Sequence, residues 1–152
     1  MHNKLIIADT SCFIILSNIG ELNILQLLYK QIITTTEIAQ EFGENLPDWV
    51  EIVTVSDKAK QELLEMQVDK GEASAIALAL ESENPFLIID DNKARKLARN
   101  LKLNHTGTIG IIIAAKRKGI IDSIKPILEK IKATNFRISI DLELQALLQA
   151  NE

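Results

Sequence analysis

Two stretches of this chain are apolar without interruption. Leu5-Ile6-Ile7-Ala8 stops at Asp9, and Phe86-Leu87-Ile88-Ile89 stops at Asp90-Asp91. Short continuous apolar runs suit strands buried on both faces, as in the middle of a parallel sheet. Elsewhere the apolar positions recur at helical spacing. They predict helices over 11–19, closed by Gly20, and over 21–30, where Leu22, Ile24, Leu25, Leu27 and Leu28 form one face. A short strand is expected over 31–34. The run Thr34-Thr35-Thr36 offers a cap to a helix over 37–42 that Gly43 ends. Residues 50–55 alternate like an edge strand, and Ser56 or Asp57 caps a polar helix reaching about 66.

Asp69-Lys70-Gly71 reads as a break before an alanine-rich helix over 72–82. After Asp91 comes a basic helix over 92–101, then a short strand over 103–106. Gly107-Thr108-Ile109-Gly110 opens a strongly apolar helix that closes with Lys116-Arg117-Lys118-Gly119. Ser123 caps another helix with Pro126 in its first turn, residues 135–140 are irregular or a short strand, and 141–150 is a terminal amphipathic helix. Strands alternating with helices indicate an α/β fold, a parallel sheet with helices on both faces. No repeat or linker divides the chain, so residues 1–152 read as a single domain.

Composition narrows the chemistry. Apolar residues make up 47% and charged residues 25%, as in a globular domain with a real core. Aromatics are only 4%, so the core is aliphatic and aromatic base-stacking platforms are not expected. The single cysteine, Cys12, fits a reducing, cytoplasmic setting. No apolar run is long enough to span a membrane, and no basic region leads into a long apolar stretch as in a signal peptide. The net charge of −4 argues against a nucleic-acid partner unless several of the acids hold divalent metal.

Each acid has an ordinary reading. Asp9 can cap the helix after it, and either Asp90 or Asp91 can do the same. Glu72 is favoured in a first helical turn, and Glu37 and Glu41 can sit on a solvated face, although like charges four apart disfavour the helix slightly. Together the acids say more: two buried strands end in Asp, and two helices after turns carry Glu. The carboxyl edge of an open α/β sheet is where such folds place ligands. Carboxylates gathered there repel one another, and a hard divalent cation offsets that. Mg²⁺ or Mn²⁺ bound by oxygen ligands can activate water for phosphodiester hydrolysis. No other chemistry shows itself. His2 and His105 lack metal-ligand spacing, and Cys12 lies in an apolar helix and reads as core. Gly107-Thr108-Ile109-Gly110 is either an ordinary strand-to-helix turn or a helix N-terminus open to phosphate.

Taken in order, the segments Ile7-Ala8-Asp9-Thr10-Ser11, Glu37-Ile38-Ala39-Gln40-Glu41, Gly71-Glu72-Ala73-Ser74-Ala75, Ile89-Asp90-Asp91-Asn92-Lys93-Ala94-Arg95 and Gly107-Thr108-Ile109-Gly110 resemble a PIN-domain nuclease, in its short VapC-like toxin branch. The resemblance covers residues 4–121, with 122–152 less covered. It implies a three-layer α/β/α sandwich and Mg²⁺- or Mn²⁺-dependent RNA cleavage. Asp9, Glu41, Glu72 and Asp91 match the family's catalytic and metal-binding acids, with Asp90 a neighbouring metal-ligand candidate. Glu41 matches better than Glu37 by its offset from the preceding strand. Cys12 and Thr35 stand where this branch often has proline. Members commonly lie beside a small antitoxin gene, which implies an antitoxin protein partner, and they are often homodimers.

RNA must still meet an acidic protein. Lys93, Arg95, Lys96, Arg99 and Lys102 follow Asp91, and Lys116, Arg117 and Lys118 cluster at the end of a later helix. Lys93, Arg95, Arg99 and Lys116 are the candidates for RNA contact. Solvated helix faces are the alternative reading. Leu142, Leu144, Leu147 and Leu148 suggest either docking of the last helix on the core or a dimer surface. Two other readings compete: a non-catalytic PIN-like module that regulates or binds a partner, and a phosphoacceptor receiver domain. The second fails on length, since 61 residues after Asp91 are too few for the rest of its sheet, and Asp9 would have no role.

Overall fold

The computed structural model describes residues 4–152; His2 lies outside the described residues. Five parallel strands form the sheet: β1 (Leu5–Ala8), β2 (Ile32–Thr35), β3 (Val50–Val53), β4 (Pro85–Ile88) and β5 (Asn104–Thr106). Their order is β3-β2-β1-β4-β5. The two continuous apolar runs are therefore neighbours, paired from Leu5 opposite Pro85 to Ala8 opposite Ile88. Central position explains their composition, because helices cover both faces and leave no place for a polar alternate. Val50–Val53 is at the edge, as its alternation predicts.

The chain moves from β1 outward to β3, then crosses back to β4 and on to β5. The reversal falls between β1 and β4, and the crevice outside the carboxyl ends of two such strands is where open α/β sheets bind ligands. Asp9 and Asp90-Asp91 follow these two strands directly. The Asp9 N–H donates to the Ile88 carbonyl at 3.0 Å, which ties the two strand ends together.

The helices are α1 (Thr10–Asn18), α2 (Asn23–Tyr29), α3 (Thr36–Phe42), α4 (Lys58–Leu64), α5 (Lys70–Leu80), α6 (Asn92–Asn100), α7 (Thr108–Arg117), α8 (Lys125–Lys132) and α9 (Ile140–Gln149). They flank the sheet in two layers, α5 with α3 and α4, and α7 with α1, α2 and α9. Among the described residues no single helix is long and apolar enough to cross a membrane.

Local chemistry sets the boundaries. Thr35 caps α3 through its hydroxyl, which accepts from the Ile38 N–H at 3.1 Å. Gly43 ends that helix at φ +76°, a conformation that favours glycine. Asp57, not Ser56, caps α4, accepting from the Lys60 N–H at 3.0 Å. Two helix starts are built differently from expectation. Asp69-Lys70-Gly71 is no break: Asp69 is the cap of α5, and Lys70 and Gly71 are already helical. The capping position of α8 is Ile124, not Ser123; from one residue earlier the Ser123 hydroxyl accepts from the Lys125 N–H at 3.2 Å and donates to Glu152 at 2.5 Å.

Helix α5 lies against β1, β2 and β4, and Gly71 to Ala79 are all buried. Its small side chains let the helix approach the sheet closely. The Thr35 and Ser74 hydroxyls share a hydrogen bond of 2.6 Å there. This packing brings the start of α5, with Glu72, to the carboxyl edge.

Candidate active site

Asp9 is almost wholly buried, with a relative exposure of 3%. It sits at the capping position of α1, yet its side chain makes no capping hydrogen bond, and Oδ1 has no hydrogen-bond partner. The ordinary reading of Asp9 as a cap therefore fails. Burial pushes its carboxyl up to about 8; the Thr10 backbone N–H pulls the other way, and the charges of Glu72, Asp69 and Glu41 add to the rise. The adjacent Thr10 hydroxyl is also buried without a partner. A buried carboxylate with one oxygen left unpartnered is costly, and such cost concentrates at functional sites.

Glu72 faces the same space. It is buried, and its carboxyl is raised to about 7, first by burial, then by the charges of Asp69 and Asp91, with Glu41 adding less. Asp69 and Glu72 form a capping box: the Glu72 N–H donates to the Asp69 carboxylate at 2.8 Å, and the Asp69 N–H donates to Glu72 Oε1 at 3.3 Å. Asp69 is thus a fifth acid of the group, absent from the sequence candidates although its Asp-x-x-Glu spacing was a readable capping signal.

Glu41 reaches the group from α3. A Cβ built on Gly71 would lie 3.0 Å from Glu41 Oε1, so glycine there lets the carboxylate lie against the start of α5 without shifting. Glu37 is turned elsewhere. Its carboxylate accepts from Gln61 at 2.9 Å and from Lys58 at 3.1 Å. Burial would raise it, but bonds from Gln61, Thr36 and Lys58 hold it down at about 2. The two glutamates that sequence spacing sets four apart therefore do different work.

The tandem acids divide in the same way. Asp90 points to the start of α7, where Oδ1 accepts from the Thr108 N–H at 2.8 Å and Oδ2 from the Thr108 hydroxyl at 2.6 Å. The turn at Gly107-Thr108 is therefore filled by the protein's own carboxylate, which takes the place a phosphate would need. Asp91 caps α6 through Oδ2, which accepts from the Ala94 N–H at 3.0 Å, and its charge reaches Glu72. Asp9, Glu41, Asp69, Glu72 and Asp91 are one electrostatic group at the switch point, with Asp90 beside it but engaged by α7.

A family model described as PIN domain matches residues 5–152. The chain belongs to the PIN-domain family. Comparison with curated proteins and with solved structures gave no match. PIN domains are generally nucleases and usually use divalent metals.

The donors of this PIN domain suit a hard cation. They are carboxylate oxygens, Asp9 Oδ1 is buried and unpartnered, and like charges at close range lack compensation. Among the described residues no three His, Cys, Asp or Glu side chains close on one point as a ready-made chelate. An ion here fits one or two carboxylates and keeps water, which is the manner of Mg²⁺.

The remaining candidates scatter. Lys93 and Lys96 face Gln67 and Val68, while Arg95 faces Gly107 on the other side of α6. Arg99 is exposed. Lys116 lies at the far end of α7 and holds the C-terminal segment, donating to the Ala150 carbonyl at 3.0 Å and to Glu152 at 2.9 Å. Arg117 likewise donates to the Gln149 carbonyl. The second basic cluster is thus not set beside the acids, and Lys116 has a structural partner in place of a phosphate. Cys12 is buried, and burial first, with Asp90 nearby, pushes its thiol well above the ordinary range, which suits core and not a nucleophile.

Proposed function

We propose that this PIN domain is a metal-dependent endoribonuclease that hydrolyses RNA phosphodiester bonds at Asp9, Glu41, Glu72 and Asp91, with Mg²⁺ or Mn²⁺ as cofactor. The observation that carries the reading is Asp9: a buried carboxylate at the switch point with Oδ1 unpartnered and three acids around it. A divalent ion bound there would supply an activated water and positive charge at the scissile phosphate. Asp9 and Glu72, the buried pair, would hold the ion. Glu41 and Asp91 are more exposed and would complete its acidic surroundings. Asp69 holds Glu72 through the capping box, and Asp90 keeps the start of α7 closed. Lys93, Arg95 and Arg99 on α6 supply cations beside an otherwise acidic edge.

By resemblance to the VapC-like branch, the chain is the toxin of a toxin–antitoxin pair, acts in the cytoplasm, and is held in check by a small antitoxin protein. The same resemblance supports a homodimer. Helix α9 docks on α7 through Ala146 but leaves Leu144 and Leu148 exposed, which gives a second copy an apolar face.

The test combines cleavage with melting. Purified protein freed of any partner should cleave single-stranded RNA with Mn²⁺ or Mg²⁺ and not with EDTA. Either ion should raise the melting temperature of the wild type by binding the folded state. Asp9→Asn should abolish cleavage and the metal shift together. A wild type indifferent to metal, or Asp9→Asn cleaving at full rate, would overturn the proposal and leave a non-catalytic PIN-like module.

A further inference from the structure

A cavity of about 220 Å³ opens between α6, α7 and α9, with Asp90, the residue before Asp91, in its lining. Arg95, Gly107, Phe136, Gln145 and Gln149 are among its lining residues. The nuclease reading leaves most of them without a role.

Arg95 is half-buried, and its guanidinium makes no ion pair or hydrogen bond with any described residue. Asp90 accepts from Thr108 through both oxygens and makes no ion pair with this guanidinium. A Cβ built on Gly107 would lie 2.8 Å from Arg95 Nη1 and 2.9 Å from Asp90 Oδ1, so glycine there keeps open the space the guanidinium occupies. An unpaired guanidinium has five N–H donors to satisfy and matches the planar geometry of a phosphate edge. Across the cavity stand one aromatic ring, Phe136, and two side-chain amides that both donate and accept. A base has an aromatic face and a hydrogen-bonding edge, and single-stranded RNA is recognised by stacking and edge contacts of this kind. The low aromatic content of the chain excludes an extended stacking platform, but one ring at one cavity serves one base.

We propose that this cavity is a nucleotide subsite of the nuclease centre, in which Arg95 takes a backbone phosphate, Phe136 stacks the base, and the Gln145 and Gln149 amides read the base edge. Its occupant is the nucleotide flanking the scissile phosphate in single-stranded RNA. The volume suits one planar base and is too small for a helix of a protein partner. The subsite makes α9, the part of the chain least covered by the family resemblance, the element that sets sequence preference. The proposal rests on the reading of the chain as an RNA nuclease.

The experiment is fluorescence anisotropy in EDTA, so that binding is read without cleavage. The probes are a set of labelled RNA hexamers differing at one position. Arg95→Ala should weaken all probes about tenfold and flatten the salt dependence by about one charge. Phe136→Leu keeps an apolar side chain of similar bulk but loses the ring; it should also weaken binding about tenfold, the worth of one stacked base. Gln145→Ala and Gln149→Ala should weaken the preferred probes toward the level of the others and so narrow the spread between probes, because the edge contacts are lost. Unchanged affinity, salt slope and preference in these variants would overturn the subsite. The two readings fail separately. If Asp9→Asn stops cleavage while the cavity variants bind like wild type, only the subsite falls. If Asp9→Asn still cleaves while the cavity variants lose RNA, the carboxylate centre falls and the cavity stands as an RNA site.

Discussion

Asp69 and Glu72 hold each other through reciprocal hydrogen bonds of 2.8 and 3.3 Å between carboxylates and backbone N–H groups. The bonds serve α5, whose start they cap, and they also fix the Glu72 carboxylate toward Asp9. The two substitutions at Asp69 therefore part company. Asp69→Ala loses the cap and should cost about 1 kcal/mol. Asp69→Asn keeps a capping oxygen and removes a charge, so in EDTA it should melt no lower than wild type. Thermal melts of both variants in EDTA check this; equal losses in the two would mean that the capping oxygen does not matter, and an Asp69→Asn that melts below wild type would mean that its charge near Asp9 and Glu72 does not destabilise the fold.

Metal-free stability should depend on pH in a way set by two opposed sets of carboxyls. Asp9 at about 8 and Glu72 at about 7 lie above their ordinary values of 3.8 and 4.5. The folded state therefore binds their protons more tightly than the unfolded chain does. Their contribution is full below the ordinary values and is lost as pH rises through 7 and 8. Glu37 and Glu152 are held at about 2, and their contribution is lost as pH falls below 4.5 toward 2. Stability in EDTA should peak near about pH 5 and decline on both sides. Asp9→Asn should flatten the alkaline limb. Urea titrations from pH 3 to 9 would read this, and stability that climbs from pH 5 to 8 in EDTA would contradict it.

Glu37 and Glu41 should give mirror-image variants. Glu41→Gln touches an exposed carboxylate at the acidic group, so activity should fall by two or more orders of magnitude with little change in melting. Glu37→Ala strips Gln61 and Lys58 of their acceptor, leaving the buried Gln61 amide short of a partner. It should cost on the order of 1 to 3 kcal/mol and leave cleavage near wild type. Parallel melting and cleavage assays separate the two, and a stable but inactive Glu37→Ala would reverse their roles.

Thr108→Val keeps shape and removes the hydroxyl that donates to Asp90 Oδ2. Loss of a bond to a charged acceptor should cost about 1.5 to 3 kcal/mol. Urea denaturation measures it, and unchanged stability would show that water replaces the hydroxyl at no cost.

If α9 forms the dimer face, replacing Leu144 and Leu148 with Lys should give a monomer in sedimentation while the melting temperature of the folded chain changes little, since both side chains are exposed. A mass unchanged by the double substitution would place the interface elsewhere.

The sequence alone determined the parts that depend on neighbours in the chain. Two uninterrupted apolar runs mark strands covered on both faces, and an acid after each marks the carboxyl edge. Gly43 and Thr35 mark the ends of α3. The family of the chain was legible in the same ordered segments. What tertiary structure decided is which acids share a space. Nothing in the spacing of Glu37 and Glu41 says that Lys58 and Gln61 claim the first. Asp90 and Asp91 are indistinguishable in sequence, and only the arrival of Thr108, eighteen residues on, takes Asp90 out of the group. Lys116 reads as a surface cation until Glu152, thirty-six residues away, accepts from it. Asp69 lay in a segment that looks like a loop by composition. Its proximity to Asp9 follows from α5 packing across the sheet. Periodicity and capping are local and repeat along the chain, so one sequence carries them. Which charges meet is set by how helices dock, and the partners lie at sequence separations where no local pattern links them.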